Sequence, residues 1–198
     1  YSLTLIAPVG DMKLMAEGAI YGGDNGSTTD YTGTQLFIGV DAKLSDALSA
    51  GAGLIWADGA DATNEDQITE LATDTVFSPF DYKGALAALG NGRGSFGGET
   101  AVFDVSGQNK GTIGFYGTVA FMPTEAVTLY GTLGYAEPND NDDVTNLDSK
   151  FFAVGSIDYA WMPAVTLSAG VGYVSPDYSD NTNDDAAVEY IARLGVSF

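Results

Sequence analysis

The chain has 198 residues, and its 27 acidic against 7 basic side chains give a formal net charge of −20. This charge would repel a phosphate backbone, so we expect no nucleic-acid partner. The sequence has no histidine and no cysteine, which excludes sites that need an imidazole or a thiolate. We therefore expect no catalytic residues, no cofactor and no metal site, and a protein that is not an enzyme.

Apolar residues alternate with small or polar residues along most of the chain, and a period of two predicts β-strands. In the first half, alternating stretches cover residues 1–7, 12–21, 34–44 and 48–56. In the second half they cover 111–122, 127–136, 151–161, 165–173 and 186–198. Each stretch has one apolar face and one face of small or polar residues, so the sequence predicts an all-β protein.

The pattern breaks between residues 57 and 110, which is too long for an ordinary connection. We expect one domain over 1–198 with a long loop insertion at 57–110. If the loop folded into a barrel, its charged residues would form a constriction whose opposed charges favour small polar solutes. The candidates are Asp81, Lys83, Arg93, Glu99 and Asp104. The alternative is a loop that covers the mouth from outside.

The connections between the predicted strands alternate in length. Short connections lie at 8–11, 45–47, 123–126 and 162–164, and long ones at 22–32, 57–110, 137–149 and 174–185. Antiparallel strands joined in sequence place all short turns on one rim of a sheet and all long loops on the other. The long connections hold most of the acidic residues, as solvated loops or as sites for divalent cations.

This arrangement is typical of an antiparallel up-and-down β-barrel, which is either soluble or transmembrane. No run of 18 apolar residues is present, so a transmembrane helix is not expected. A soluble barrel turns its apolar phase inward and a membrane barrel turns it outward, and alternation alone does not separate the two. Aromatic residues near the ends of the apolar rows favour the membrane barrel, because they match an interfacial girdle. They are Trp56, Phe121, Tyr135, Tyr159, Trp161, Tyr173, Tyr190 and Phe198.

The last stretch carries a more specific signal. Tyr190, Leu194, Val196 and the terminal Phe198 occupy alternate positions of one apolar face. This pattern resembles the C-terminal strand of bacterial outer-membrane β-barrels of the porin type, which the barrel assembly machinery recognises. The resemblance implies a location in the bacterial outer membrane and contact with outer-membrane lipid. Porin-type barrels are often homotrimers, which is a family analogy.

Strand number decides between two functions. Eight strands from residue 12 onward would close a barrel filled by side chains, with a structural or surface-adhesion role. A ninth strand at 1–7 would start at the long-loop rim, which favours a C-terminal part of a larger porin-like barrel with an open edge at 1–7. The second reading is preferred: a porin, a passive diffusion channel for ions and small hydrophilic solutes. The pore-lining candidates are Lys13, Glu17, Asp41, Lys43, Asp158, Glu189 and Arg193.

Overall fold

A computed structural model of the protein describes residues 1–24, 30–58, 112–139, 147–179 and 185–197. These residues form nine strands, and no helix among them is long and apolar enough to cross a membrane. The strands are β1 (Ser2–Val9), β2 (Met12–Asp24), β3 (Asp30–Lys43), β4 (Leu48–Ala57), β5 (Thr112–Thr124), β6 (Val127–Glu137), β7 (Leu147–Met162), β8 (Val165–Tyr178) and β9 (Ala187–Val196). Beyond residue 58, the insertion expected at 57–110 lies outside the described residues.

All nine strands belong to one sheet, in the order of the chain, and every neighbouring pair is antiparallel. The predicted all-β, up-and-down architecture is therefore confirmed. The first stretch is a true strand, because β1 pairs with β2 from Ser2 to Val9. Within the described parts of the chain, β1 and β9 each pair with one neighbour, so the sheet has two open edges.

The short turns all lie at one rim of the sheet. The β1–β2 turn joins Val9 to Met12, which are register partners, through two residues. Gly10, the first of these two, has a φ of 61°, as the primed turns of two-residue hairpins require. Two-residue connections also join β5 to β6 and β7 to β8. We call this edge the turn rim and the opposite edge the loop rim.

Several strands continue past their predicted ends at the loop rim. The β2–β3 ladder, for example, runs on to the pair Asp24 and Asp30, although its apolar alternation ends near residues 21 and 34. Backbone hydrogen bonds do not need an apolar side chain, so the ladder extends beyond the stretch that alternation marks.

The sheet is staggered in a regular way. Following register partners strand by strand, Met12 at the turn end of β2 leads to Val171 on β8. Val171 lies six residues away from the turn end of its strand at Val165. The turn rim therefore moves by one residue for each of the six strand steps. With a rise of about 3.4 Å per residue and a strand spacing of about 4.8 Å, the strands are tilted by about 35°. This is within the range of closed barrels.

The two faces of the sheet differ sharply in exposure. Every buried side chain within the strands belongs to the phase of Met15, Phe37 and Ser168, which also carries the polar residues. The opposite phase is exposed and apolar. It includes Leu14, Ile38, Leu54, Phe115, Val119, Leu133, Ile157, Leu167 and Val171. We call the buried side the inner face and the exposed apolar side the outer face.

Candidate functional site

The inner face carries a cluster of large apolar side chains. Met15, Phe37, Ile55, Tyr116 and Phe152 form its buried cluster together with Ala136. Each of the six strands from β2 to β7 contributes one residue to this cluster, so its side chains pack across most of the sheet. Buried Glu17, Gln35, Thr112 and Thr132 lie among or beside these residues on the same face.

Glycines make room for the largest side chains of the cluster. Tyr116 and Gly53 are register partners on β5 and β4, and the tyrosine ring occupies the space that a Cβ at Gly53 would need. Phe152 on β7 lies in the same way across Gly134 on β6. Because each ring folds onto a neighbouring glycine, the aromatic side chains lie along the wall and stay close to it.

Nearer the turn rim the inner face becomes polar and charged. Lys13 on β2 and Asp41 on β3 are register partners, and Lys13 Nζ lies 3.2 Å from Asp41 Oδ2. Both side chains are about half exposed, at 49% and 51%. Two of the predicted pore-lining residues therefore form an ion pair that remains in contact with solvent.

The second oxygen of Asp41 reaches across the next strand. Gly51 is the register partner of Asp41 on β4, and a Cβ at Gly51 would lie 2.5 Å from Asp41 Oδ1. The same point is 2.9 Å from Thr118 Oγ1 on β5. The carboxylate thus extends from Lys13 on β2, over a glycine, towards a hydroxyl on β5.

Lys43, another pore-lining candidate, turns towards the rim. Its Nζ donates a hydrogen bond to Asp46 Oδ1 at 2.6 Å, within the β3–β4 connection. This bond and the positive charge of Lys43 lower the pKa of Asp46 from its ordinary value. Both side chains are largely exposed, so the pair acts at the rim rather than on the wall.

The far side of the inner face carries Asp158 and Arg193. Asp158 on β7 is the register partner of Ser168 on β8, and Ser168 is the partner of Arg193 on β9. Within the described residues, the buried atoms Asp158 Oδ1, Ser156 Oγ and Glu17 Oε2 have no hydrogen-bond partner. Glu17 lies on the predicted face but is only 5% exposed, so it is a buried carboxyl and not one that faces open water.

The outer face carries aromatic side chains at two levels. Towards the loop rim, Phe115 stacks on Tyr135 at 5.5 Å between ring centroids, and Phe151 lies 6.4 Å from Tyr173. Towards the turn rim, Trp161 is exposed on β7, ten residues beyond Phe151 of the same strand. At a tilt of about 35°, ten residues correspond to about 28 Å perpendicular to the rims of the sheet, close to the apolar band of about 25 Å in outer-membrane barrels.

The remaining predicted residues are placed as follows. Glu189 lies on β9 as the register partner of Gly172. Tyr190, Leu194 and Val196, from the predicted assembly signal, are exposed on the outer face of β9, and Phe198 lies outside the described residues. The constriction candidates Asp81, Lys83, Arg93, Glu99 and Asp104 also lie outside them.

Sequence reasoning missed Gly51 and Thr118, which surround Asp41. Part of the signal was available, because the short connection between β3 and β4 fixes their register closely enough to place Gly51 opposite Asp41. The connection between β4 and β5 is long, so the position of Thr118 could not be predicted in this way. The described residues contain no cluster of three acidic side chains suited to a metal ion. No protein-family model and no curated protein matches the chain. The two faces of the sheet are therefore the evidence for function.

Proposed function

We propose that this chain forms a wall of an outer-membrane diffusion channel of the porin type, for ions and small hydrophilic solutes. The observation that carries the proposal is that the apolar face of the sheet is exposed and the charged face is the inner one. The apolar phase is the exposed one, whereas Lys13, Asp41 and Asp158 lie on the opposite phase. Charged residues on the apolar phase, such as Glu137 and Asp177, lie near the loop-rim ends of their strands. A soluble barrel would turn the apolar phase inward.

The outer face is suited to lipid and poorly suited to water. Its large apolar side chains extend over all nine strands, whereas soluble monomers rarely expose apolar patches of more than a few hundred square ångströms. The strand tilt of about 35° and the aromatic levels about 28 Å apart agree with a transmembrane barrel wall. Outer-membrane lipid is therefore the first partner that we propose.

The open edges bear on the size of the barrel. Both β1 and β9 run from the loop rim to the turn rim, so pairing them directly would be parallel. An odd number of further antiparallel strands would close the wall with antiparallel pairs throughout. The proposed barrel is therefore larger than nine strands, and it would be inserted by the barrel assembly machinery, with a homotrimer as the expected assembly.

A second candidate is a closed barrel with a structural or surface-adhesion role. It is favoured by the apolar cluster of Met15, Phe37, Ile55, Tyr116 and Phe152 on the inner face. Side chains of this kind would fill the interior of a narrow barrel. The channel reading requires instead that the glycine-backed rings stay against the wall and leave a water-filled centre.

Conductance separates the two candidates. The intact protein is purified from outer membranes in detergent and added to a planar lipid bilayer in about 1 M KCl, at which single conductance steps can be resolved. Stable, uniform conductance steps are expected for the channel. A protein that fractionates with outer membranes but gives no steps would support the closed barrel and overturn the channel.

A further inference from the structure

The two oxygens of Asp41 face different surroundings. Oδ2 lies 3.2 Å from Lys13 Nζ, so Lys13 balances part of the negative charge. Oδ1 projects over Gly51, towards the hydroxyl of Thr118. One oxygen of the carboxylate thus lies beside a cation, and both the other oxygen and the Thr118 hydroxyl border the space above Gly51.

Asp41 is also an accessible acid on the inner face. Glu17 is buried, Asp158 is partly buried, and the Asp41 side chain is 51% exposed. A half-exposed ion pair is only weakly held, so Lys13 does not remove Asp41 from contact with passing ions. Carboxylate and hydroxyl oxygens are favourable partners for hard cations.

We infer that Asp41 gives the channel a preference for small cations over anions, and that Gly51 provides the space through which its carboxylate projects. This inference rests on the proposed channel function. The net charge of −20 acts in the same direction, because an acidic surface raises the concentration of cations at a pore mouth. Asp41 then attracts cations from its position on the inner face of the sheet.

Gly51 allows the position of the carboxylate to be tested without removing its charge. A methyl group at position 51 would overlap Asp41 Oδ1 and Thr118 Oγ1, so Gly51→Ala must displace the carboxylate. Gly117 on β5 supplies the matched control. A Cβ there would meet its nearest atom, Gly51 O, at 3.9 Å, which is ordinary contact.

The experiment measures the reversal potential of the wild-type channel and four variants in planar bilayers under a KCl gradient. The wild type is expected to favour K⁺. Asp41→Asn should lower the permeability ratio of K⁺ to Cl⁻ by about two- to threefold, the effect of one unit charge acting through water over several ångströms. Lys13→Gln should raise the ratio by a similar factor. Gly51→Ala should change it, and Gly117→Ala should not.

Shifts of opposite sign for Asp41→Asn and Lys13→Gln would support the inference, because a general distortion of the wall would not reverse with the sign of the charge removed. Normal conductance steps with an unchanged ratio in both variants would overturn it and leave the channel function intact. Equal ratios for Gly51→Ala and Gly117→Ala would overturn the role of Gly51. Absence of steps in the wild type would overturn the channel itself, and this inference with it.

Discussion

The ring of Phe152 on β7 lies across Gly134, its register partner on β6, in the space that a side chain at position 134 would need. Phe152 is fully buried, and the carbonyl oxygen of Phe115 closes the same space at 3.0 Å. The phenylalanine therefore has little freedom to move aside. This contact links two strands in the middle of the inner apolar cluster.

Gly134→Ala is expected to destabilise the protein by about 1–3 kcal/mol, the usual cost of forcing an extra methyl group into a packed core. Gly155→Ala on β7 is the control, because a Cβ there meets its nearest atom at 3.8 Å. Urea unfolding from lipid vesicles, followed by tryptophan fluorescence, measures both. Equal stabilities would show that Phe152 does not depend on the glycine.

Gly10→Ala tests the backbone of the β1–β2 turn. No atom lies within 4 Å of a Cβ at Gly10, and its φ is +61°, so the penalty comes from the left-handed backbone alone. We expect a loss of about 1–2 kcal/mol, and a smaller loss for Gly10→Asn, because asparagine tolerates this region.

Gly18 on β2 provides the control for this turn, since it also has no atom within 4 Å and has no positive φ. Gly18→Ala is expected to leave the free energy of unfolding nearly unchanged. If Gly10→Ala and Gly18→Ala behave alike in the same urea titration, the turn does not need a left-handed residue.

Neighbouring substitutions on β5 test which face meets lipid. Val119 is 43% exposed on the outer face, and Val119→Lys should cost about 2–4 kcal/mol if it lies near the middle of the bilayer. Thr118→Lys places the same charge on the inner face, near the carboxylate of Asp41. It should cost much less.

The measurement for this pair is the yield of folded protein after dilution from urea into lipid vesicles. We expect the yield of folded protein to be highest for the wild type, lower for Thr118→Lys and lowest for Val119→Lys. The reverse order would place the apolar phase against protein and the polar phase against lipid, and would contradict the membrane proposal.

The β3–β4 connection should respond to acid. The pKa of Asp46 is lowered in the folded state by its hydrogen bond to Lys43 and by the charge of Lys43. A carboxyl group whose pKa is lowered in the folded state stabilises the fold at any pH above its ordinary, unfolded-state pKa. This stabilisation is lost as the pH falls through the folded-state pKa. Asp46→Asn should therefore lower the Tm slightly at neutral pH and have no effect once Asp46 is protonated.

Glu125→Gln, in the β5–β6 turn, is the control for loss of an acidic residue at the same rim. Thermal unfolding of both variants between pH 7 and about pH 2 makes the comparison. A difference between wild type and Asp46→Asn that stays constant through this range would contradict an ion pair with Lys43.

The strands of the sheet could be predicted because alternation is enforced by the contrast between the two faces. Leu14 and Met15 show the limit of this reasoning. Both are apolar, yet Leu14 is exposed on the outer face and Met15 is buried on the inner face. Hydrophobicity separates the phases only as long as the inner face stays polar, and the inner apolar cluster makes the two phases locally alike.

The candidate site was predictable residue by residue, but its pairing was not. Lys13 and Asp41 were both expected on the inner phase, whereas their contact depends on the β2–β3 register. The connection between these strands is long, and a shift of two residues would keep every side chain on its face while separating the two charges. The extension of Asp41 over Gly51 depends in addition on a side-chain direction that no periodicity encodes.

Because the strands are staggered, a row of register partners shifts by about one residue towards the loop rim at each step from one strand to the next. Lys13 is one residue from the turn end of β2, whereas Glu189, which the same row reaches on β9, lies seven residues before Val196. Residues that are neighbours across the ladder therefore stand at successive depths. In the proposed channel, a solute that moves along the axis would therefore pass Lys13, Asp41 and Thr118 at successive depths.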